Sequence, residues 1–454
     1  MSYKSINPAT GAVVGTYKEL TLKEVEQKLE RSAEAYKKWR KFAFSVRAKH
    51  IKRAGEILLE RKKKYAELIT LEMGKPIKQS IAEIEKCAWA CDYYADNAKM
   101  FLKDEHIKTD AEESFISYEP IGAVLAVMPW NFPFWQVFRF AAPNLMAGNV
   151  AVLKHSSNVP QCAMGIEEVF RDAECEEGIF QNLIISSGLV RKVIDNKHIA
   201  AVTLTGSESA GAKVAEAAGK RIKKTVLELG GSDPFIVLKE ANLKKAAEVA
   251  VQSRMINNGQ SCIAAKRFIV EEGVAESFKK LLINHIEKLK IGDPSLDDTD
   301  IGPMAREDLL KSLHVQVRSS VRKGAKILTG GERLKRKGYF YKPTLIGNVK
   351  PGMAVFDDET FGPVAALIVA KDEEDAIKIA NNSSFGLGAS LWTENIDQAT
   401  RLVRLIQAGS VFVNGMVKSD PRMPFGGIKR SGYGRELSDV GIKEFVNIKS
   451  ITIY

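Results

Sequence analysis

Histidine and cysteine are scarce in this chain: 454 residues contain 6 and 5 of them. The five cysteines have no metal-like spacing, and an odd number without a framework suits a reducing cytoplasm rather than a disulfide scaffold. No metal centre is therefore expected. No apolar run approaches the roughly 20 residues needed to cross a bilayer. Met1-Ser2-Tyr3-Lys4 is not followed by the apolar stretch of a secretory signal. Internal repeats and low-complexity linkers are absent, as are zinc-finger and RNA-recognition signatures.

Against these absences, 45% hydrophobic and 27% charged residues describe an ordinary globular protein, and the length exceeds a single core, so two or three domains are expected. The net charge of +11 could point to nucleic acid or an anionic surface. The basic runs are Arg61-Lys62-Lys63-Lys64, Lys220-Arg221-Ile222-Lys223-Lys224 and Lys335-Arg336-Lys337. Acids are interspersed throughout, so solvated helix and loop faces explain these runs better. A nucleic-acid-binding protein built on an enzyme scaffold is the competing class, and salt-dependent DNA binding would reveal it. No nucleic-acid or membrane partner is expected.

Apolar spacing predicts one long amphipathic helix over 45–73, ended by Met73-Gly74-Lys75-Pro76, and a second over 78–102. Cys87 and Cys91, four apart on that helix, read as packing. Ser114–Glu119 and Ile448–Tyr454 alternate as strands do. Val124–Met128, Val150–Leu153, Val202–Leu204 and Phe235–Leu238 are short apolar runs suited to buried parallel strands. Strands alternating with helices give an α/β class with parallel sheets.

The most informative pair is Glu228-Leu229-Gly230-Gly231 and Asn257-Asn258-Gly259-Gln260-Ser261-Cys262. A free thiol has a pKa of about 8.5 and attacks as thiolate, so it needs a partner base or a positive field. No histidine lies near either motif. A thiol with a carboxylate suits covalent adduct formation, oxidation, then thioester hydrolysis by water that the carboxylate activates. Taken alone, Glu228 could be merely a strand-end acid.

Other motifs are weaker individually. Leu204-Thr205-Gly206-Ser207, with Gly211 beyond, ends a strand and opens a helix, whose free N–H groups suit phosphate. It lacks the three-glycine dinucleotide fingerprint, and a plain strand-to-helix turn would look the same. Lys154 ends an apolar strand, where α/β folds bind ligands, or it is simply an exposed strand end. Asn131, in Trp130-Asn131-Phe132-Pro133, is a neutral donor suited to an oxyanion, or a turn residue. Glu359 alone reads as a solvent-facing acid.

Together these segments resemble the aldehyde dehydrogenase superfamily. Pro129–Pro133, Lys154–Ser157, Thr205–Ser207, the Glu228 and Cys262 runs, Glu359-Thr360-Phe361-Gly362-Pro363 and Pro424-Phe425-Gly426-Gly427 follow the family's order across nearly the whole chain. The short N-terminus, Leu153-Lys154-His155 and Leu229–Phe235 look most like the compact succinate-semialdehyde dehydrogenases. The resemblance implies an aldehyde dehydrogenase-like fold with two α/β domains and a small β bridge. Residues 1–102 and 123–230 would bind nucleotide, 231–435 would be catalytic, and 103–122 with 436–454 would join protomers into a homodimer or homotetramer.

The same resemblance assigns roles. Cys262 is the nucleophile, Glu228 the general base, and Asn131 with the Cys262 N–H the oxyanion hole. Trp130, Lys154, Ser157, Gly206, Ser207, Gly211, Glu359 and Phe361 would contact the cofactor, with Lys154 and Glu359 on ribose hydroxyls. Many NAD-preferring members carry glutamate where this chain has Ser157. A carboxylate would repel a 2′-phosphate and a hydroxyl can accept one, so NADP is favoured and NAD permitted. Arg139, eight residues after Asn131, stands where the succinate-semialdehyde enzymes hold the substrate carboxylate, although a salt bridge to a nearby acid would equally explain a buried arginine. A second family arginine is replaced by Ile256. Ser419 and Arg422 could compensate, with Trp135 and Phe425 as apolar walls. The expected reaction is NAD(P)-dependent oxidation of an aldehyde, succinate semialdehyde first, to its acid. Small hydroxyaldehydes such as glyceraldehyde or lactaldehyde are the alternative substrates.

Overall fold

Gly74 ends a helix in the left-handed conformation (φ 78°), as the Gly-then-Pro signal predicts. The helix before it is not continuous. In the computed structural model, which describes residues 2–454, the expected 45–73 helix is two helices, Phe44–Glu60 and Lys62–Met73. Arg61 leaves the helical region (φ −112°, ψ 21°) at the break. Four consecutive cations begin there, and three of them pair with acids. Arg61 reaches Glu168 (2.9 Å) and Asp172 (2.6 Å), Lys62 reaches Glu85 (2.7 Å) and Lys64 reaches Glu168 (2.6 Å). The second basic run is paired similarly, Lys220 with Glu216 and Arg221 with Asp195. The next helix, Ile77–Phe101, buries Cys87 and Cys91 as packing residues.

Two sheets organise the molecule. The first has six strands in the order Gly432–Tyr433, Lys224–Glu228, Ile199–Thr205, Ala123–Met128, Val150–His155 and Phe180–Asn182; all pair in parallel except the first. The chain builds outward from Ala123–Met128 to one side, then returns to add Ile199–Thr205 on the other. That reversal opens a crevice at the carboxyl ends of the strands, where open α/β sheets bind ligands. The nearly continuous apolar composition of these strands follows from helices covering both faces.

The second sheet has seven strands in the order Lys326–Thr329, Thr344–Gly347, Val364–Ala370, Arg267–Glu271, Pro234–Val237, Gly388–Trp392 and Ser410–Val413; only the first pair is antiparallel. Separate hydrophobic clusters line its two faces, whereas one cluster unites the first sheet with the N-terminal helices. Gly432–Tyr433 pairs with Leu227 and Glu228, so a short piece of chain expected with the second sheet completes the first. A third, antiparallel sheet joins Glu105–His106, Glu113–Pro120 and the C-terminal Val446–Ile453. Val446–Ile453 is an edge strand exposing Ile448 and Ile453. Among the described residues no helix is long and apolar enough to cross a membrane.

Candidate active site

Asn257, Asn258 and Gly259 take successive left-handed conformations (φ 57°, 57° and 73°), turning the chain sharply ahead of Cys262. Asparagine tolerates that region because its short amide can bond locally. Here both amides do more. Asn257 Nδ2 donates to the carbonyls of Asn131 (2.7 Å) and Gln260 (2.9 Å), while Asn258 Nδ2 donates to Gly74 (2.8 Å) and Pro303 (2.9 Å). A Cβ on Gly259 would stand 2.4 Å from the Gly362 backbone, so only glycine fits. Arg254, fully buried, completes the clamp by donating to the carbonyls of Val364 (2.6 Å), Thr360 (2.7 Å) and Gly259 (3.3 Å). The nucleophile loop is thereby fastened to the Glu359–Pro363 segment and to the Asn131 turn.

Cys262 lies where two cavities meet and lines both. Burial pushes its thiol up to about 12, opposed by the positive charges of Lys266 and Arg139. Asn131 is buried, with Nδ2 donating to Gln260 O (3.0 Å) and Oδ1 accepting from Gln136 Nε2 (3.0 Å). The turn that carries it is held from behind by His155. Nδ1 of that ring lies 2.9 Å from Ser156 N and 3.2 Å from Met128 O, and Nε2 lies 2.9 Å from Pro133 O. Burial holds His155 down at about 4, so it is neutral and serves position rather than proton transfer.

On one side of Cys262, a cavity of about 230 Å³ is lined by Trp130, Asn131, Gly206, Ser207, Glu359 and Phe361, among others. Trp130 and Phe361 meet edge to face (5.7 Å, 88°). Glu359 accepts from Gly231 N–H (3.0 Å) and lies 3.4 Å from Lys266 Nζ; a Cβ on Gly230 would stand 2.5 Å from its carboxylate. Beyond the Thr205–Ser207 turn, a further cavity of about 390 Å³ is lined by Lys154, Arg191, Leu204, Lys213 and Val214, among others. Ser207 caps the helix Glu208–Gly219 between them. Lys154 is buried, with burial alone lowering its pKa, and no carboxylate lies within ion-pair distance among the described residues. An unpaired cation, a capped helix N-terminus and an apolar slot along one crevice fit a dinucleotide.

Ser157 and Gly211 stand apart from that lining. Ser157 is exposed on the turn beyond Lys154. Gly211 is buried under Leu229, whose side chain a Cβ there would meet at 2.6 Å, so it permits close packing instead of touching a ligand.

On the other side of Cys262, a cavity of about 200 Å³ is walled by Phe132, Trp135, Ile263 and Phe425, with Glu83, Lys86, Arg139, Lys418 and Ser419 among its polar members. Arg139 lies over the Phe425 ring (4.8 Å), donates to Thr205 Oγ1 (3.3 Å), and contacts buried Glu436 as an ion pair. The salt-bridge alternative for this residue is thus realised, although the side chain still borders the cavity. Arg422, expected nearby, is turned away. Asp420, two residues earlier, captures it (2.7 Å), and it lies exposed over Trp89 (5.4 Å). Lys86, which no sequence motif marks, donates to Ser419 Oγ (2.7 Å) and lies over Trp135 (4.3 Å).

Glu228 is buried at the end of its strand and lines neither cavity around Cys262. Its carboxylate faces Gly426, where a Cβ would stand 2.7 Å from Oε1, and neither oxygen has a hydrogen-bond partner. Burial, then the charge of Glu436, pushes its pKa well above the ordinary carboxylate value, which favours the protonated form. The Glu228 carbonyl accepts from Gly206 N–H (2.9 Å), tying the candidate base to the cofactor turn through the backbone.

This fold and this site define a member of the aldehyde dehydrogenase family, to which the chain belongs: the model described as "Aldehyde dehydrogenase family" matches residues 1–451. The chain is 53% identical over 453 residues, with both chains fully covered, to the Synechocystis protein named "Probable succinate-semialdehyde dehydrogenase", NADP(+) type. It is 45% identical to the Escherichia coli K12 succinate semialdehyde dehydrogenase of NAD(P)+ type, covering 98% of this chain and 97% of that one. A crystal structure of succinic semialdehyde dehydrogenase from Streptococcus pyogenes with NADP+ superposes with a TM-score of 0.97 at 39% identity, covering 99% of each chain.

Proposed function

We propose that the protein oxidises succinate semialdehyde to succinate with NADP+ as preferred oxidant and NAD+ as the second choice. The observation that carries this reading is the position of Cys262 between a dinucleotide-shaped crevice and a small apolar cavity bearing cations. Relatives named for this reaction match the chain end to end.

In this reading NADP+ supplies the hydride acceptor. The Cys262 thiol releases its proton to solvent water, helped by the charges of Lys266 and Arg139, and the thiolate attacks the aldehyde carbon. The Asn131 side chain and the Cys262 N–H stabilise the resulting oxyanion, which requires Asn131 Nδ2 to turn from Gln260 O. After oxidation, Glu228 turns from Gly426 toward the thioester, loses its proton, and activates water for hydrolysis. Lys154 and Glu359 hold the cofactor riboses, with Trp130, Gly206, Ser207 and Phe361 along the crevice and Ser157 near the 2′-phosphate. The aldehyde lies between Trp135 and Phe425. Residues 1–102 with 123–230 form the nucleotide-binding part and 231–435 the catalytic part. The antiparallel sheet of 103–122 and 436–454 joins protomers in a homo-oligomer, because its exposed edge strand Val446–Ile453 offers unpaired backbone groups.

A specificity panel tests the reading: succinate semialdehyde, glutarate semialdehyde, lactaldehyde, glyceraldehyde and acetaldehyde, each with NADP+ and NAD+. The highest kcat/KM should fall to succinate semialdehyde with NADP+. A higher value for either hydroxyaldehyde would replace this substrate assignment.

A further inference from the structure

Lys86 projects from the helix Ile77–Phe101 one turn after Glu83. Glu83 is buried, pairs with Lys75, and accepts the backbone N–H groups of Phe134 (2.9 Å) and Trp135 (3.0 Å). It therefore locks the start of the Trp135–Met146 helix against the helix that carries Lys86. That lock fixes Trp135 beneath the Lys86 ammonium, 4.3 Å from ring centre to Nζ. One N–H of the ammonium goes to Ser419 Oγ (2.7 Å), itself buried. An ammonium has three donors, so two remain for a ligand. No carboxylate lies within ion-pair distance of Lys86 among the described residues.

The other cations of this cavity are differently placed: Lys418 is exposed to solvent. Arg139 already has Glu436 as its anion and Thr205 as an acceptor. A partly desolvated ammonium with no carboxylate in contact, only the more distant charges of Asp420 and Glu83, is the stronger trap for an incoming carboxylate, because the ligand repays a desolvation that the protein has only partly offset. The cavity measures about 200 Å³ and Cys262 lines it too, which is small even against the ~300 Å³ lower bound of typical ligand sites. An aldehyde at Cys262 whose other end reaches Lys86 must be short.

Building on the succinate semialdehyde reading, we propose that Lys86, with Ser419, binds the distal carboxylate of a short ω-oxo acid, and that Arg139 supports this site from its ion pair with Glu436. Burial and the charge of Arg139 bring the Lys86 ammonium down to about 8, and a bound carboxylate would restore it.

Kinetics of Lys86→Met, Lys86→Arg and Arg139→Met with saturating NADP+ test the assignment. Succinate semialdehyde is compared with butanal, an uncharged aldehyde of the same length, and succinate is tested as an inhibitor of butanal oxidation. Lys86→Met should raise KM for succinate semialdehyde by roughly 10- to 100-fold, the loss expected for a charge-assisted bond, with kcat and the butanal constants changed by less than about threefold. It should weaken succinate inhibition equally, and Lys86→Arg should retain most of both. An unchanged KM for succinate semialdehyde in Lys86→Met, an equal loss on both aldehydes, or a preference abolished only by Arg139→Met would each overturn the assignment. A wild-type enzyme indifferent to the carboxylate of its substrate would instead overturn the succinate semialdehyde reading. Succinate inhibition lost in Lys86→Met would then still mark Lys86 as the anion site, and succinate inhibition retained would remove it.

Discussion

Glu228 is buried in the field of Glu436, and the ion pair of Arg139 goes to Glu436 alone. Both carboxyls are raised, chiefly by burial, and the Glu436 charge adds to the rise at Glu228. The rise favours the protonated form of the proposed base, so deacylation should accelerate as pH rises and Glu228 ionises. Glu436→Gln removes one cause of the rise, so the acid limb of the kcat profile should move to lower pH where hydrolysis limits turnover. An unmoved limb would separate the two carboxyls. Stability carries the opposite sign. A carboxyl raised in the folded state holds its proton there, so its contribution is full below the ordinary value of 4.5 and is lost as pH rises toward the folded pKa. Glu228→Gln should flatten that alkaline decline in Tm.

Asn257 supports Cys262 and Asn131 together. Asn257→Ala would lose two hydrogen bonds to backbone carbonyls and place an alanine at φ 57°. The expected cost is about 1–3 kcal/mol of stability, read by denaturant unfolding, because αL strain and a lost buried bond each contribute. kcat should fall to a similar extent on charged and uncharged aldehydes, because the defect lies in the nucleophile loop. A loss confined to charged substrates would contradict this role.

Cofactor choice has its own test. Ser157→Glu should weaken NADP+ far more than NAD+ in kcat/KM, because the new carboxylate would face the 2′-phosphate. A uniform effect would place the phosphate away from Ser157, in the cavity that Arg191 and Lys213 line.

Much of this was legible in the sequence, for identifiable reasons. The buried strands were short, continuous apolar runs with Gly or Pro near one end or the other, and Gly74 announced its helix end. The motif residues Cys262, Asn131, Lys154 and Glu359 sit at strand ends and turns, where local sequence dictates local geometry. The supports were hidden because their partners are distant in the chain. Arg254 serves carbonyls of the Thr360–Val364 stretch, Arg139 meets Glu436 near the C-terminus, and Glu83 caps a helix some fifty residues on. Lys86 sits in a helix whose lysines are mostly solvent-facing, so no periodicity sets it apart. The Arg61 break has no local signal in the sequence, and the acids that pair with Arg61 lie in the later helix Pro160–Asp172.

The central claim is that Cys262 carries a covalent acyl group which Glu228 releases. It is tested most directly by mixing Glu228→Gln with succinate semialdehyde and NADP+, quenching in acid, and weighing the peptides. The account predicts a stoichiometric burst of NADPH and one succinyl group on the peptide containing Cys262, with wild type turning over and Cys262→Ala giving neither signal. A Glu228→Gln enzyme with no burst and an unmodified Cys262 would contradict it.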